Sequence, residues 1–336
     1  MPLLEGYAWR AAASATGGIT GAYTSLRLRD AAGDLQAEKY NAILVTGWHK
    51  HGMLQCLRAA VHSSKPVLVR AESNGLAPVS LLQRLKAKWL LGGVTRLLPI
   101  GTANRLYYER LGLAARIGDE VPYFVDNAFF STREQDARAR RDDLRRGFGI
   151  PLDAGCFLFA GKFVNKKRPR DVLAALARLS SGQGKSHLLM VGSGELEAQL
   201  RQEARTRGLS VSFAGFLNQS GMPEAYAVAD CLVLPSDYGE TWGLVVNEAM
   251  ACGLPAIVSD HVGCGPDLIR DAETGWIFSY GDTDALAASM SRFMELNPLA
   301  RETLSANARG RVTKGHSIER ARDGTLAAVL GALSAR

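Results

Sequence analysis

The chain has 336 residues, 47% of them hydrophobic and 22% charged, with a formal net charge of +7. That length exceeds what one hydrophobic core ordinarily covers, so two domains are expected, and the composition is that of a soluble globular protein. No apolar run approaches the roughly 20 residues needed to span a bilayer, and the opening residues lack the charged and apolar regions of a signal peptide. Five cysteines, Cys56, Cys156, Cys231, Cys252 and Cys264, are scattered without C-x-x-C pairs. They read as reduced core thiols of a cytoplasmic protein, favouring neither a disulfide framework nor a zinc site. The positive charge suits an anionic partner, whether nucleotide, lipid headgroup or nucleic acid, without choosing among them.

The chain opens PLLEGYAWR, passes a Gly/Thr/Ser-rich stretch from Thr16 to Ser25, and reaches its first clear strand at Ala42 to Thr46. A helix follows from Met53 to His62, then strand Pro66 to Arg70, helix Pro78 to Leu91, strand Leu97 to Ile100, helix Ala103 to Leu111 and strand Val121 to Val125. Such alternation predicts a parallel sheet covered on both faces, with ligands beyond the carboxyl ends of its strands. Three polar groups fall at those ends: Trp48 to His51, Arg70 to Asn74, and Gly101-Thr102. His49 and His51 would share one side of an extended segment. Lacking a third ligand nearby, they suit loop or acceptor contacts better than metal. Arg70 and Glu72 form either an internal ion pair or a substrate contact. The helix Pro78 to Leu91 sets Arg84, Lys86 and Lys88 among Leu81, Leu82, Leu85, Trp89 and Leu90. It fits an anionic membrane surface, or equally a buried leucine face with solvated lysines. Arg133 to Arg146 reads as a solvated helix leading to the second domain, its interleaved acids weighing against a nucleic-acid stripe.

In the second part, strand Phe157 to Ala160 ends in a loop, Gly161 to Arg168, that opens a helix at Pro169 or Arg170. Lys162, Lys166, Lys167 and Arg168 gather there, where a phosphate is expected. Strand His187 to Val191 is followed by the turn Gly192-Ser193-Gly194 and a helix to Arg207; the turn suggests backbone close to a ligand, though G-x-G alone is weakly specific. After strand Val211 to Ala214 and helix Pro223 to Ala229 comes the apolar run Cys231 to Pro235 and then Ser236 to Leu268, which holds Glu240 and Glu248. Gly243 to Cys252 has helical spacing, so Glu240 precedes a helix and Glu248 lies inside it, roughly 7 Å along the axis from its start at 1.5 Å per residue. The unpaired N–H groups at Gly243, Leu244 and Val245 could hold an anion such as a diphosphate, with a carboxylate on either side to accept from hydroxyls. That arrangement suits a nucleoside-diphosphate sugar; the plainer alternative is an amphipathic helix with one solvated glutamate. Strands Ala256 to Ser259 and Trp276 to Ser279, then helices Thr283 to Leu296, Leu299 to Val312 and Ser317 to Leu333, complete a second doubly wound unit.

The series GKFVNKKRP, VGSGELEAQL, FAGF, GETWGLVVNEAMACGLPAIVSD and VGCGPDLI resembles retaining GT-B glycosyltransferases of the family-4 group, which includes bacterial polysaccharide and lipid-linked sugar transferases. The resemblance is close across Phe157 to Phe278 and looser in Pro2 to Phe130, where PLLEGY, RAESN, IGTANRLYY and PYFVDNAFF carry it. It implies an α/β GT-B fold, two Rossmann-like doubly wound domains facing a cleft. The expected divisions are an acceptor-side domain at 1–130, a linker helix at 131–149, a donor domain at 150–316, and a C-terminal helix at 317–336 packing back on the first domain. Glu240 and Glu248 match the family's E-x7-E pattern, the first contacting donor-sugar hydroxyls and the second the ribose. Lys167 matches the diphosphate lysine, and Lys162 stands where arginine is more usual, keeping the charge without the bidentate geometry. The resemblance thus implies catalytic Glu240, Lys167 and Lys162. It implies donor contacts from Gly161, Gly192, Gly194, Phe213, Thr241, Trp242, Gly243, Leu244, Val245 and Glu248. Arg70, Glu72 and His49 are the acceptor-side candidates, with Arg70 or Glu72 standing where many members have a histidine. A complete N-terminal domain begins with a strand and a glycine-rich loop, and this chain is expected to start after them. No metal or other cofactor is implied. The implied partners are a UDP- or GDP-sugar and a saccharide or lipid-linked acceptor, with peripheral contact to the inner face of the plasma membrane and no nucleic acid. A non-catalytic sugar-nucleotide-binding subunit is the alternative, and a nucleic-acid binder rests on charge alone.

Overall fold

In the computed structural model, which describes residues 40–179 and 185–335 together with Ala31 and Gly33, the strand–helix alternation forms two parallel sheets. The opening PLLEGYAWR, the stretch Thr16 to Ser25 and the expected missing first strand lie outside the described residues. The first sheet runs β1 (Ile43–Val45), β2 (Val67–Val69), β3 (Arg96–Leu97) in that order. Ile43, Val45, Val67 and Val69 bury one face against Leu57, Ala60, Ala87, Leu91 and Tyr108 of the three helices His51–His62, Leu81–Leu91 and Thr102–Arg110. On the other face Leu68 and Leu98 meet Ala321, Ala328 and Ala332 of the last helix, Ile318–Ser334, whose small side chains allow close approach.

The second sheet has the order β6-β5-β4-β7-β8-β9, from β4 (Gly155–Ala160), β5 (Ser186–Val191), β6 (Val211–Gly215), β7 (Cys231–Leu234), β8 (Ala256–Ser259) and β9 (Gly275–Phe278). Its inner strands are near-continuous apolar runs because both faces are covered. Phe157, Phe159, Leu188 and Val233 pack under Leu173, Leu176, Met290 and Phe293 on one face, while Leu158, Leu189, Leu232 and Leu234 pack on Ala225, Tyr226, Val246 and Met250 on the other. The chain winds outward from β4 to β6 and returns beside β4 as β7. This reversal opens a crevice at the carboxyl ends of β4 and β7, the place where such sheets hold ligands.

Four expectations require correction. Val121 to Val125 is not a strand: Val121 and Tyr123, two residues apart, donate to the adjacent carbonyls of Pro99 and Ile100, so the register slips and no ladder forms. Arg133 to Arg146 is two helices, Asn127–Arg138 and Arg141–Gly147, and is far from fully solvated. Arg145 is 2% exposed and donates to the carbonyls of Val228, Pro151, Leu152 and Ala154 and to Asp230, which Arg141 also holds. His49 and His51 do not share an extended segment, because His51 already begins a helix. Finally, of the two alternatives for Leu81–Leu91 the buried leucine face does not hold: Leu81, Leu82, Leu85 and Trp89 are 69%, 76%, 58% and 72% exposed, and of that helix only Ala87 and Leu91 are buried. That helix starts later than its hydrophobic pattern suggests, at a capping box in which Ser80 and Gln83 bond each other's backbone.

Candidate active site

A cavity of about 500 Å³ occupies the crevice beyond β4 and β7. From the end of β4 come Gly161, Lys162 and Lys167, the last on a single 3₁₀ turn, Asn165–Lys167. Arg168, next in sequence, turns away: its guanidinium holds Asp171 and lies 4.7 Å over the ring of Tyr280. From β5 come Gly192 and Ser193, and from β6 the segment Phe216 to Gln219. Beyond β7, Glu240 faces the cavity together with Gly243, Leu244, Val245 and Glu248 at the start of the helix Leu244–Ala251. Gly243 caps that helix at φ 104° with no capping side chain, and a Cβ there would lie 3.1 Å from Leu234. A left-handed residue in so close a space favours glycine.

Two of the charges lining the cavity pair directly with each other. Lys167 forms an ion pair with Glu240, whose carboxylate also accepts from Ser236 Oγ at 3.2 Å. Glu248 accepts from the fully buried hydroxyl of Tyr226 at 2.6 Å. Burial raises the pKa of Glu248, and the Tyr226 hydrogen bond opposes that shift. A carboxylate whose folded pKa is raised loses stability as pH rises through that value, because the fold favours the protonated form. Glu248→Gln is therefore expected to unfold at a higher temperature than the parent at neutral pH, with the gain vanishing in acid, and to bind donor more weakly. Melting curves across pH with and without nucleotide check this, and a variant less stable at neutral pH would contradict it.

Nine of the expected donor-side residues thus line one cavity: Gly161, Lys162, Lys167, Gly192, Glu240, Gly243, Leu244, Val245 and Glu248. Four do not. Phe213 packs half-buried against the core, edge-on to Phe163 at 6.3 Å with Arg201 at 4.4 Å over its ring. Gly194 is needed for packing, since a Cβ would lie 2.5 Å from the Phe163 carbonyl. Thr241 has its carbonyl against Gly263, where a Cβ would come within 1.9 Å. Trp242 is buried at the junction of the halves, donating to Asn247 at 2.7 Å and meeting Tyr123 edge-on at 5.8 Å. Of the acceptor-side candidates, Arg70 and Glu72 meet through Tyr123: Arg70 lies 4.6 Å over the Tyr123 ring and the Tyr123 hydroxyl donates to Glu72. Burial lowers the pKa of Arg70, with Glu72 opposing the shift. His49 lies against Trp48, the rings tilted by 33° with centroids 4.1 Å apart, and bonds Ser73 at 3.0 Å. None of these three lines the cavity. Sequence reasoning missed Phe216 to Gln219, Ser236 and Tyr226. Phe216 to Gln219 carried a usable signal, since they follow a glycine at the carboxyl end of a strand.

The family described as glycosyl transferases group 1 matches residues 140–311, just over half the chain. The chain belongs to this family. Among curated relatives it is 31% identical to D-inositol 3-phosphate glycosyltransferase of Thermomonospora curvata over 74% of its length. It is 29% identical to phosphatidyl-myo-inositol mannosyltransferase of Mycobacterium leprae over 68%. It spans 60% and 58% of the lengths of these two relatives. Among solved structures, sucrose-phosphate synthase of Thermosynechococcus elongatus superposes with a TM-score of 0.71 at 25% identity, over 89% of this chain and 76% of that one. The two Rossmann-like units are arranged as in other GT-B glycosyltransferases.

Proposed function

We propose that this chain transfers a hexosyl group from a UDP- or GDP-sugar to a hydroxyl acceptor, with retention at the anomeric carbon, in cell-surface polysaccharide or glycolipid synthesis. The observation that carries the reading is the convergence of Lys162, Lys167, the start of the helix Leu244–Ala251 and two carboxylates on one cavity. In this reading the diphosphate takes Lys167 from Glu240 and lies between Lys162 and the helix N-terminus, whose partial positive charge favours anions. Glu240 then accepts from hydroxyls of the sugar and Glu248 from those of the ribose, while Phe216 and Leu217 offer apolar surface to the base. The bond from the anomeric carbon to the diphosphate oxygen breaks, the acceptor oxygen bonds to the same face, and its proton passes to the leaving diphosphate. Charge growing on that diphosphate is stabilised by groups already in place.

A panel of UDP- and GDP-sugars, scored for hydrolysis and for nucleotide binding, tests this. Turnover with one donor class supports it. Binding without turnover favours a non-catalytic sugar-nucleotide-binding subunit, and no binding sinks the donor site.

The acceptor or its carrier, in the same reading, is presented at an anionic membrane surface. The helix Leu81–Leu91 leaves four large apolar side chains exposed beside Arg84, Lys86 and Lys88, the composition of an interfacial helix. It directly follows the loop from β2 that reaches the cleft, and the phosphatidyl-myo-inositol relative acts on a lipid headgroup by its name. Leu82→Ser with Trp89→Ser is expected to weaken binding to anionic vesicles by at least about tenfold. Sedimentation with anionic and with neutral vesicles measures it, and equal binding by parent and variant would remove the lipid from this reading.

A further inference from the structure

The loop after β2 crosses the cleft to the loop that carries Glu240. Asn74 on it is 8% exposed, although it lies in a connection between elements. Its Oδ1 accepts from Leu76 N at 3.3 Å, which directs Nδ2 the other way, toward the carbonyls of Tyr238 at 3.2 Å and Glu240 at 3.3 Å. Asn74 is itself held firmly. Ser73 O accepts from Asn104 at 2.5 Å, Gly75 N donates to Ala103 O at 2.7 Å, and a Cβ on Gly75 would lie 2.5 Å from Tyr107 N. The helix beneath, Thr102–Arg110, is in turn docked to the donor half, because Asp267 accepts from Thr102 N at 3.0 Å and from its hydroxyl at 2.6 Å.

From its own half the Glu240 loop has other ties. Asp237 N donates to Lys166 O, Glu240 N to Asp237 O and Gly263 N to Glu240 O, and the Tyr238 ring stacks on His261 at 3.5 Å. Asn74 adds a bond to the Tyr238 carbonyl and a second to that of Glu240, both from the opposite sheet's side of the cleft. Any separation of the halves would break those two bonds and leave the others.

We infer that Asn74 is a positioning residue, holding the Glu240 loop in its donor-ready shape from the opposite half so that closure of the halves sets Glu240 in place. The role in turnover rests on the proposed sugar transfer; the clamp itself does not. Asn74→Ala removes both bonds, and Asn74→Asp puts an acceptor where two carbonyls need a donor. Losing two neutral hydrogen bonds of ordinary net strength, about 1 kcal/mol each, corresponds to about thirtyfold, so exchange of the amides in 237–241 should accelerate by up to about that factor in both variants. Protection in β7 and β8 should stay at the parent level. With an active donor, the turnover number should fall about tenfold while donor KM changes little, since Lys162, Lys167 and the helix start still hold the diphosphate. Hydrogen exchange by mass spectrometry, read beside donor kinetics, decides the matter. Unchanged exchange at 237–241 in both variants overturns the clamp, as does equal acceleration across β7 and β8, which would mark a general stability role. A parent with no donor turnover would count against the sugar-transfer reading alone, because the exchange result stands without a substrate.

Discussion

Lys167→Ala is expected to lower donor turnover by roughly 10²–10³-fold, the usual effect of removing one preorganised group that meets developing charge. Among the described residues two cations, Lys162 and Lys167, line the cavity, and of these Lys167 is ion-paired with the candidate sugar-binding carboxylate. In the proposed transfer its removal withdraws charge from the leaving diphosphate, and it leaves Glu240, at 15% side-chain exposure, with Ser236 as its remaining hydrogen-bond donor among the described residues. Glu240→Gln should be similarly damaging through the sugar. Because the two side chains act on one another, the double variant should lose much less than the product of the single losses. Steady-state kinetics of the three variants measures this. Parent-like turnover in both single variants would discard the donor-site assignment.

Arg145→Leu is expected to cost about 3–5 kcal/mol of stability, because it leaves part of a buried ionic network without its partner. At roughly 1.4 °C per kcal/mol for a chain of this size, the melting temperature should drop by about 4–7 °C. Four carbonyls and Asp230 lose a donor at once, and Asp230 is the residue that also accepts from Cys156 N at the start of β4. The adjacent Arg146 is the control. Its side chain is 60% exposed and its pair with Asp143 is on the surface, so Arg146→Leu should change stability by less than about 1 kcal/mol. Denaturant unfolding of both variants distinguishes them, and equal losses would mean that the Arg145 network contributes no more than a surface pair.

Those neighbouring arginines illustrate what was legible in the sequence. In REQDARARRDDLRR every charge has an opposite charge close by along the chain, so a solvated helix is the natural reading. The partners that bury Arg145 are at 151–154 and 228–230, and no local pattern announces them. Phe213 and Phe216 repeat the lesson. Both flank the glycine that ends β6, and strand parity does not say which one meets the ligand. The register shift between β5 and β6 and the left-handed Gly215 decide it, setting Phe213 against the core and carrying 216–219 over the cavity.

By itself the sequence determined the alternation of elements, the helix that begins after Gly243, and the placing of Lys162, Lys167, Glu240 and Glu248 at strand ends and a helix start. These depend on periodicity and on glycine and proline punctuation, which act over a few residues. Only the tertiary structure decided that Lys167 pairs with Glu240, that the Leu81–Leu91 face is left open, and that Asn74 reaches the Glu240 loop from 164 residues away. Each of those depends on which surfaces the two sheets bring together, and a contact between distant residues leaves no period in the chain that makes it.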